Sequence, residues 1–126
     1  MHGKFERKSF EGLKELLTAL GAAEHFDRAS STPLTTEIKN DGDTWTITRI
    51  RPNKTVTNTF KIGEVSEFQT LKPGAVAKCS TAIVDKKIVL KAQEKDYVHT
   101  IEKDGDNLKE TVTVKGMTAV RISAKV

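Results

Sequence analysis

An antiparallel, up-and-down β-barrel of about ten strands, capped by two short helices placed between its first two strands, is the fold this sequence predicts. Three observations predict it: a single leucine stripe at helical spacing near the N-terminus, short β-rich runs from Leu34 onward, and compact turn signals separating those runs. The 126 residues are expected to form one domain, residues 1–126, large enough to bury a core. No stretch approaches the ~20 apolar residues of a membrane-spanning helix.

The first strand is expected over Lys4 to Lys8. Leu13, Leu16, Leu17 and Leu20 then fall at i, i+3, i+4 and i+7, an amphipathic helix with Ser9 as candidate N-cap and Gly21 as its stop. A second helical segment follows over Ala22 to Ala29, and Pro33 disfavours helix in the residue before it. The pair has the length of a helix-turn-helix but no recognition pattern of basic and amide side chains, so it reads as a cap. Beyond it, Asp41-Gly42 and Asp104-Gly105 suit two-residue type I′ hairpins, with further turns at Gly63-Glu64, Pro73-Gly74, Asp85-Lys86 and Lys115-Gly116. About nine strands result. Closing such a meander removes its exposed edges.

Two-residue loops fix which residues oppose one another. With Lys115-Gly116 as loop, Val114 faces Met117, Val112 faces Ala119, Glu110 faces Arg121 and Leu108 faces Ser123. With Asp104-Gly105 as loop, Ile101 faces Leu108, His99 faces Glu110 and Tyr97 faces Val112. Opposed residues share a face. One largely apolar face therefore carries His99, Glu110 and Arg121, a mixture that a solid core rarely holds because desolvating ions costs more than their attraction returns. A hydrated cavity resolves the conflict, with water or the head group of an amphipathic guest meeting the polar atoms. The alternative is a register slipped by one, with Glu110 and Arg121 paired on the outside. With Asp41-Gly42 as loop, Ile38 faces Trp45, Thr36 faces Ile47, and Leu34 faces Arg49, which is expected at the rim because arginine is seldom wholly buried.

The net charge is +4, with 21 basic and 17 acidic residues, but cations alternate with anions along the chain and read as a solvated surface. The densest basic stretch is Arg49 to Lys54. No nucleophile elbow, P-loop or metal-ligand spacing occurs; His2, His25 and His99 are dispersed, which argues against an enzyme or a bound metal. A single-stranded nucleic-acid barrel would need exposed aromatics among cations, and only 6% of residues are aromatic. The single cysteine, Cys79, allows no internal disulfide and is expected to be packed and inert. With no apolar signal core over Met1 to Phe10, a cytoplasmic location is expected, where the sequon Asn53-Lys54-Thr55 stays unmodified.

The opening Gly3-Lys4-Phe5-Glu6, the leucine-striped helix pair, the segments Asn40 to Ile47 and Thr55 to Glu64, and the closing Arg121-Ile122-Ser123 together resemble the intracellular lipid-binding, or fatty-acid-binding, proteins over nearly the whole chain. Ser123, where many members have tyrosine, together with Pro52 to Asn58 and Glu110 to Thr113, is similar to the liver-type and bile-acid-binding branch. The resemblance implies a ten-stranded β-clam with a helical lid, a cytoplasmic monomer that carries fatty acids or bile acids, and no cofactor or catalysis. It allows more than one ligand per cavity; a retinoid or other lipid is the alternative cargo. Candidate ligand-binding residues are Arg121, Ser123, His99, Glu110 and Tyr97 as polar contacts. The wall is Trp45, Ile47, Thr36, Ile38, Leu108, Val112, Met117, Ala119 and Ile101. Arg121 offers a carboxylate a permanent cation and a hydrogen-bond fork. His99 is expected to couple binding to pH through Glu110. Lys14 and Arg28 on the lid favour transient contact with anionic membranes, and no stable nucleic-acid partner is expected.

Overall fold

A computed structural model describes residues 2–70 and 75–126, and the turn expected at Pro73-Gly74 lies outside them. The described chain runs β1 (Gly3–Glu11), α1 (Leu13–Ala19), a 3₁₀ turn (Ala23–His25), α2 (Phe26–Ser31), then β2 (Thr35–Asp41), β3 (Thr44–Arg51), β4 (Lys54–Lys61) and β5 (Val65–Gln69). It continues through β6 (Val76–Val84), β7 (Lys87–Ala92), β8 (Val98–Asp104), β9 (Asn107–Val114) and β10 (Met117–Lys125). All ladders are antiparallel, in the order β4-β3-β2-β1-β10-β9-β8-β7-β6-β5. The expected strand count and helical cap are thus present.

The barrel closes differently from the expected continuous meander. Strands β4 and β5 lie at the two ends of the sheet order, and side chains join them where a ladder does not. Phe60 meets Phe68 edge to face with ring centroids 5.0 Å apart, and the Gln69 backbone N–H donates to the Asn58 side chain at Oδ1, 3.4 Å away. Such aromatic pairs contribute about 0.5–1.5 kcal/mol beyond their buried area.

The leucine stripe behaves as its spacing dictates, with Leu16 and Leu17 buried. Ser9 does not cap the helix, because β1 runs through it to Glu11 and the N-cap is Gly12. At Gly12 φ is +72° and a Cβ would stand 2.2 Å from the Thr118 carbonyl oxygen, so only glycine lets the chain turn this close to β10. The stop is as expected: the Ala22 amide donates to Leu17 O (2.8 Å) and the Gly21 amide to Thr18 O (3.1 Å), a Schellman pair.

The β9–β10 register is the expected one, with Glu110 opposite Arg121 and Ser123 opposite Leu108. In the two Asp-Gly hairpins the loop lies one residue further on than expected, which moves every cross-strand partner by two. Their loops are Gly42-Asp43 and Gly105-Asp106, since Asp41 pairs with Thr44 and Asp104 with Asn107. A type I′ loop on Asp-Gly needs positive φ at both residues; here the aspartates stay extended as the last strand residues and only the glycines turn left-handed, at +62° and +63°. A shift of two preserves the face and changes the partner. Ile38 therefore opposes Ile47, Asn40 opposes Trp45, Thr36 opposes Arg49, and His99 opposes Val112 with Glu110 one pair away, opposite Ile101.

Candidate functional site

Two strand pairs bring the interior charges together. On β9 and β10, Glu110 and Arg121 are opposed. Across the lumen, the two-residue change of partner in the β2–β3 hairpin moves Arg49 from the expected rim to a place beside Thr36, whose side chain is fully buried. Arg49 is an interior residue with 13% of its side chain exposed. Its Nη1 donates to Thr36 Oγ1 (2.9 Å) and Glu110 Oε2 (2.8 Å), and its Nη2 to Glu110 Oε1 (2.5 Å). This is a two-pronged arginine–carboxylate pair, the geometry that gives such bonds both strength and direction. His99 Nε2 donates to the same Glu110 Oε1 at 3.0 Å, and Arg121 Nε lies 3.5 Å from Oε2.

Burial and charge act in opposition here. Desolvation alone would raise the Glu110 pKa, but Arg49 and Arg121, with the His99 hydrogen bond, hold it well below the usual carboxylate range. Burial lowers the His99 pKa, its bond to Glu110 offsetting only part of the effect, so at neutral pH the ring is neutral. Burial and the neighbouring Arg49 and Arg51 draw the Arg121 guanidinium down from its ordinary value, with Glu110 opposing. Ser123 is buried and its Oγ has no hydrogen-bond partner among the described residues.

Three cavities follow one another through this region. One of about 80 Å³ is bounded by Ile47, Arg49, Tyr97, His99 and Arg121 on one side and Phe68, Cys79 and Leu90 on the other. One of about 60 Å³ lies beneath the helices, against Arg7, Phe10, Leu17, Glu110, Val112 and Arg121. The largest, about 270 Å³, opens between α2 and the β3–β4 turn, bounded by Arg28, Thr32, Asn53 and Lys54. Arg51 borders all three.

Of the residues expected from sequence, Arg121, His99, Tyr97 and Ile47 border the first cavity, and Glu110, Val112 and Ala119 the second. Thr36, Ile38, Trp45, Ile101, Leu108 and Ser123 are buried but packed behind these surfaces. Met117 is a correction: it shares the inner face by register, yet it follows the β9–β10 loop and is 37% exposed, because the barrel ends there. Cys79 is buried, its thiol pKa raised by desolvation, as expected of a packed cysteine.

Arg7 and Phe10 were not legible as interior residues, since alternation puts them on opposite faces. A bulge in β1 between Arg7 and Ser9 reverses the alternation and turns both inward. Phe5 and Arg7 point in before it and Phe10 after, while Glu6, Lys8 and Ser9 are exposed. Arg7 donates to the carbonyl oxygens of Ala29 (2.8 Å), Ser30 (3.2 Å) and Thr32 (2.8 Å), tying the end of α2 to β1. Among the described residues no cluster of His, Cys, Asp and Glu could hold a metal, and no helix is long and apolar enough to cross a membrane.

A barrel with a helical cap over cavities that join apolar walls to buried cations has the architecture of a ligand-binding β-barrel. The chain belongs to the lipocalin / cytosolic fatty-acid binding protein family, whose model matches residues 1–126. It is 33% identical to gastrotropin of Oryctolagus cuniculus over 125 residues, 98% of this chain and 95% of the relative. It is 27% identical to the liver fatty acid-binding protein of Schroederichthys bivius, covering 98% and 96% of the two chains. Among solved structures, zebrafish ileal bile acid-binding protein complexed with cholic acid superposes with a TM-score of 0.83 at 32% identity, covering 99% of this chain and 98% of that one.

Proposed function

We propose that the protein is a carrier that takes up hydrophobic carboxylates, fatty acids or bile acids, reversibly into its internal cavity, with no catalytic step. The observation that carries this reading is the state of Arg121: a permanent cation bordering two cavities, whose one carboxylate neighbour among the described residues, Glu110, is already engaged on both oxygens by Arg49. An incoming carboxylate would find there a charge-assisted donor among buried neighbours, while its alkyl or steroid body lies on Ile47, Phe68, Leu90 and Val112. The relatives' names, gastrotropin and liver fatty acid-binding protein, and the cholic acid in the zebrafish complex support the same ligand class.

The wide mouth bordered by Arg28 and Lys54 favours passage of anions and brief contact with anionic membranes. Native mass spectrometry against fatty acids, bile acids and retinoids tests the ligand class and the number bound. Retention of acids over retinol, with at least about tenfold weaker acid binding in Arg121→Gln, is the expected result. Equal retention of retinol, or an affinity indifferent to Arg121, would remove the reading. A nucleic-acid shift assay is expected to be negative at physiological salt.

A further inference from the structure

Resting on the carrier reading, we infer that the preferred guest bears two negative charges on one head group, as an alkyl phosphate monoester does, and that Arg51 and Arg121 grip it together. The argument is one of charge balance in a confined space. Among the described residues, four guanidinium groups, Arg7, Arg49, Arg51 and Arg121, surround the inner cavities, and Glu110 is the carboxylate among them. Arg49 takes both of its oxygens. Arg7 is drawn aside by three carbonyl oxygens at the end of α2, which take its donors though not its charge. That leaves Arg121, whose carboxylate contact among the described residues is the 3.5 Å approach to Glu110, and Arg51, which has no carboxylate within ion-pair distance among them.

Arg51 is held in this place by the fold. It sits two residues beyond Arg49 on β3, so the strand's alternation turns both side chains to the same face. It borders the same two cavities as Arg121 and lies within electrostatic reach of it. Two like charges facing one another at a partly enclosed site repel, and a single carboxylate cancels only one of them. A phosphate monoester, at about −1.5 to −2 charge near neutral pH, cancels both and supplies three acceptor oxygens. The cavity beneath the helices, about 60 Å³, has room for more than one water on the about 10–15 Å³ scale of a single site. Phe10, Leu17 and Val112 on its walls can take the first methylenes of the chain.

The test compares three probes of equal chain length by titration calorimetry at neutral pH, below their micelle concentrations: dodecyl phosphate, dodecyl sulfate and dodecanoate. Sulfate and phosphate share a tetrahedral shape and differ in charge. The expected result is one dodecyl phosphate per chain, bound at least about tenfold more tightly than dodecyl sulfate, with that ratio falling toward one in Arg51→Gln. Equal affinity of the unmodified protein for phosphate and sulfate overturns the inference, and this comparison needs no variant to fold. So does a ratio that survives Arg51→Gln. Native mass spectrometry separates the remaining source of two charges: two dodecyl sulfates filling the cavity as tightly as one dodecyl phosphate would mean that separate acids balance the cations, which also overturns it. Binding of sulfate and dodecanoate without a phosphate preference sinks this inference alone. Failure of all three probes to bind sinks the carrier reading with it.

Discussion

Strands β1–β3 and β8–β10 face the lumen with Thr36, Arg49, His99, Glu110 and Arg121 set among apolar neighbours, whereas the buried side chains of β4–β7 are Phe60, Phe68, Ala77, Cys79, Thr81, Ile88, Leu90 and Ala92. Among the described residues, all the interior formal charge lies on one wall. The other wall is uncharged, and it borders the seam where β4 and β5 lack a ladder and two phenylalanine rings close the gap. The difference teaches how a cavity can be both stable and receptive. The charged wall is held by directional bonds between strands distant in sequence, and the uncharged wall by contact, which a flexible chain or a steroid face can share without leaving a polar atom unpaired.

The strongest way to break this contrast is Glu110→Gln. It keeps the shape and leaves Arg49 and Arg121 without their shared counter-ion in a buried site, so a loss of about 3–5 kcal/mol is expected from urea unfolding. Removing the pair together should hurt less: Arg49→Met with Glu110→Leu is expected to be more stable than Glu110→Gln alone, because no orphaned charge remains. A double variant less stable than the single one would mean that Arg49 also organises the fold through Thr36.

Acidification attacks only the charged wall. The native pKa of His99 lies below its ordinary 6.5 and that of Glu110 well below its ordinary 4.5, so the unfolded chain binds more protons than the native one in both windows. Stability is therefore expected to be level above about pH 6.5, to fall as pH drops through the histidine range, and to fall again below about pH 4.5. His99→Gln should flatten the first decline and keep the second, as read from urea midpoints across pH. A parallel measurement of ligand affinity decides whether His99 couples binding to pH, the coupling expected from sequence. An unchanged affinity profile in His99→Gln would limit its part to stability. On the uncharged wall the smallest effect is expected: Phe60→Leu should cost about 1 kcal/mol, with no change in the pH dependence.

Much of the charged wall was legible in the chain. The Lys115-Gly116 loop set Glu110 against Arg121 because both of its residues take the left-handed conformation that a type I′ loop requires, with φ +50° and +79°. Arg49 was not legible as an interior residue. Its depth depends on which two residues form the loop after Asn40, a choice made by a few degrees of freedom at Gly42 and invisible to period-two patterning, since a shift of two keeps every face. Arg7 and Phe10 escaped for a related reason, as a bulge leaves no mark on hydrophobic alternation.

Sequence by itself determined the strand number, the helical cap and the inward face of β8 to β10, because those follow from local periodicity, turn chemistry and the energetic need to bury apolar side chains. Only the tertiary structure decided which charges meet. Arg49 reaches Glu110 across 61 positions of chain, and such a meeting is set by barrel closure, which no local pattern encodes.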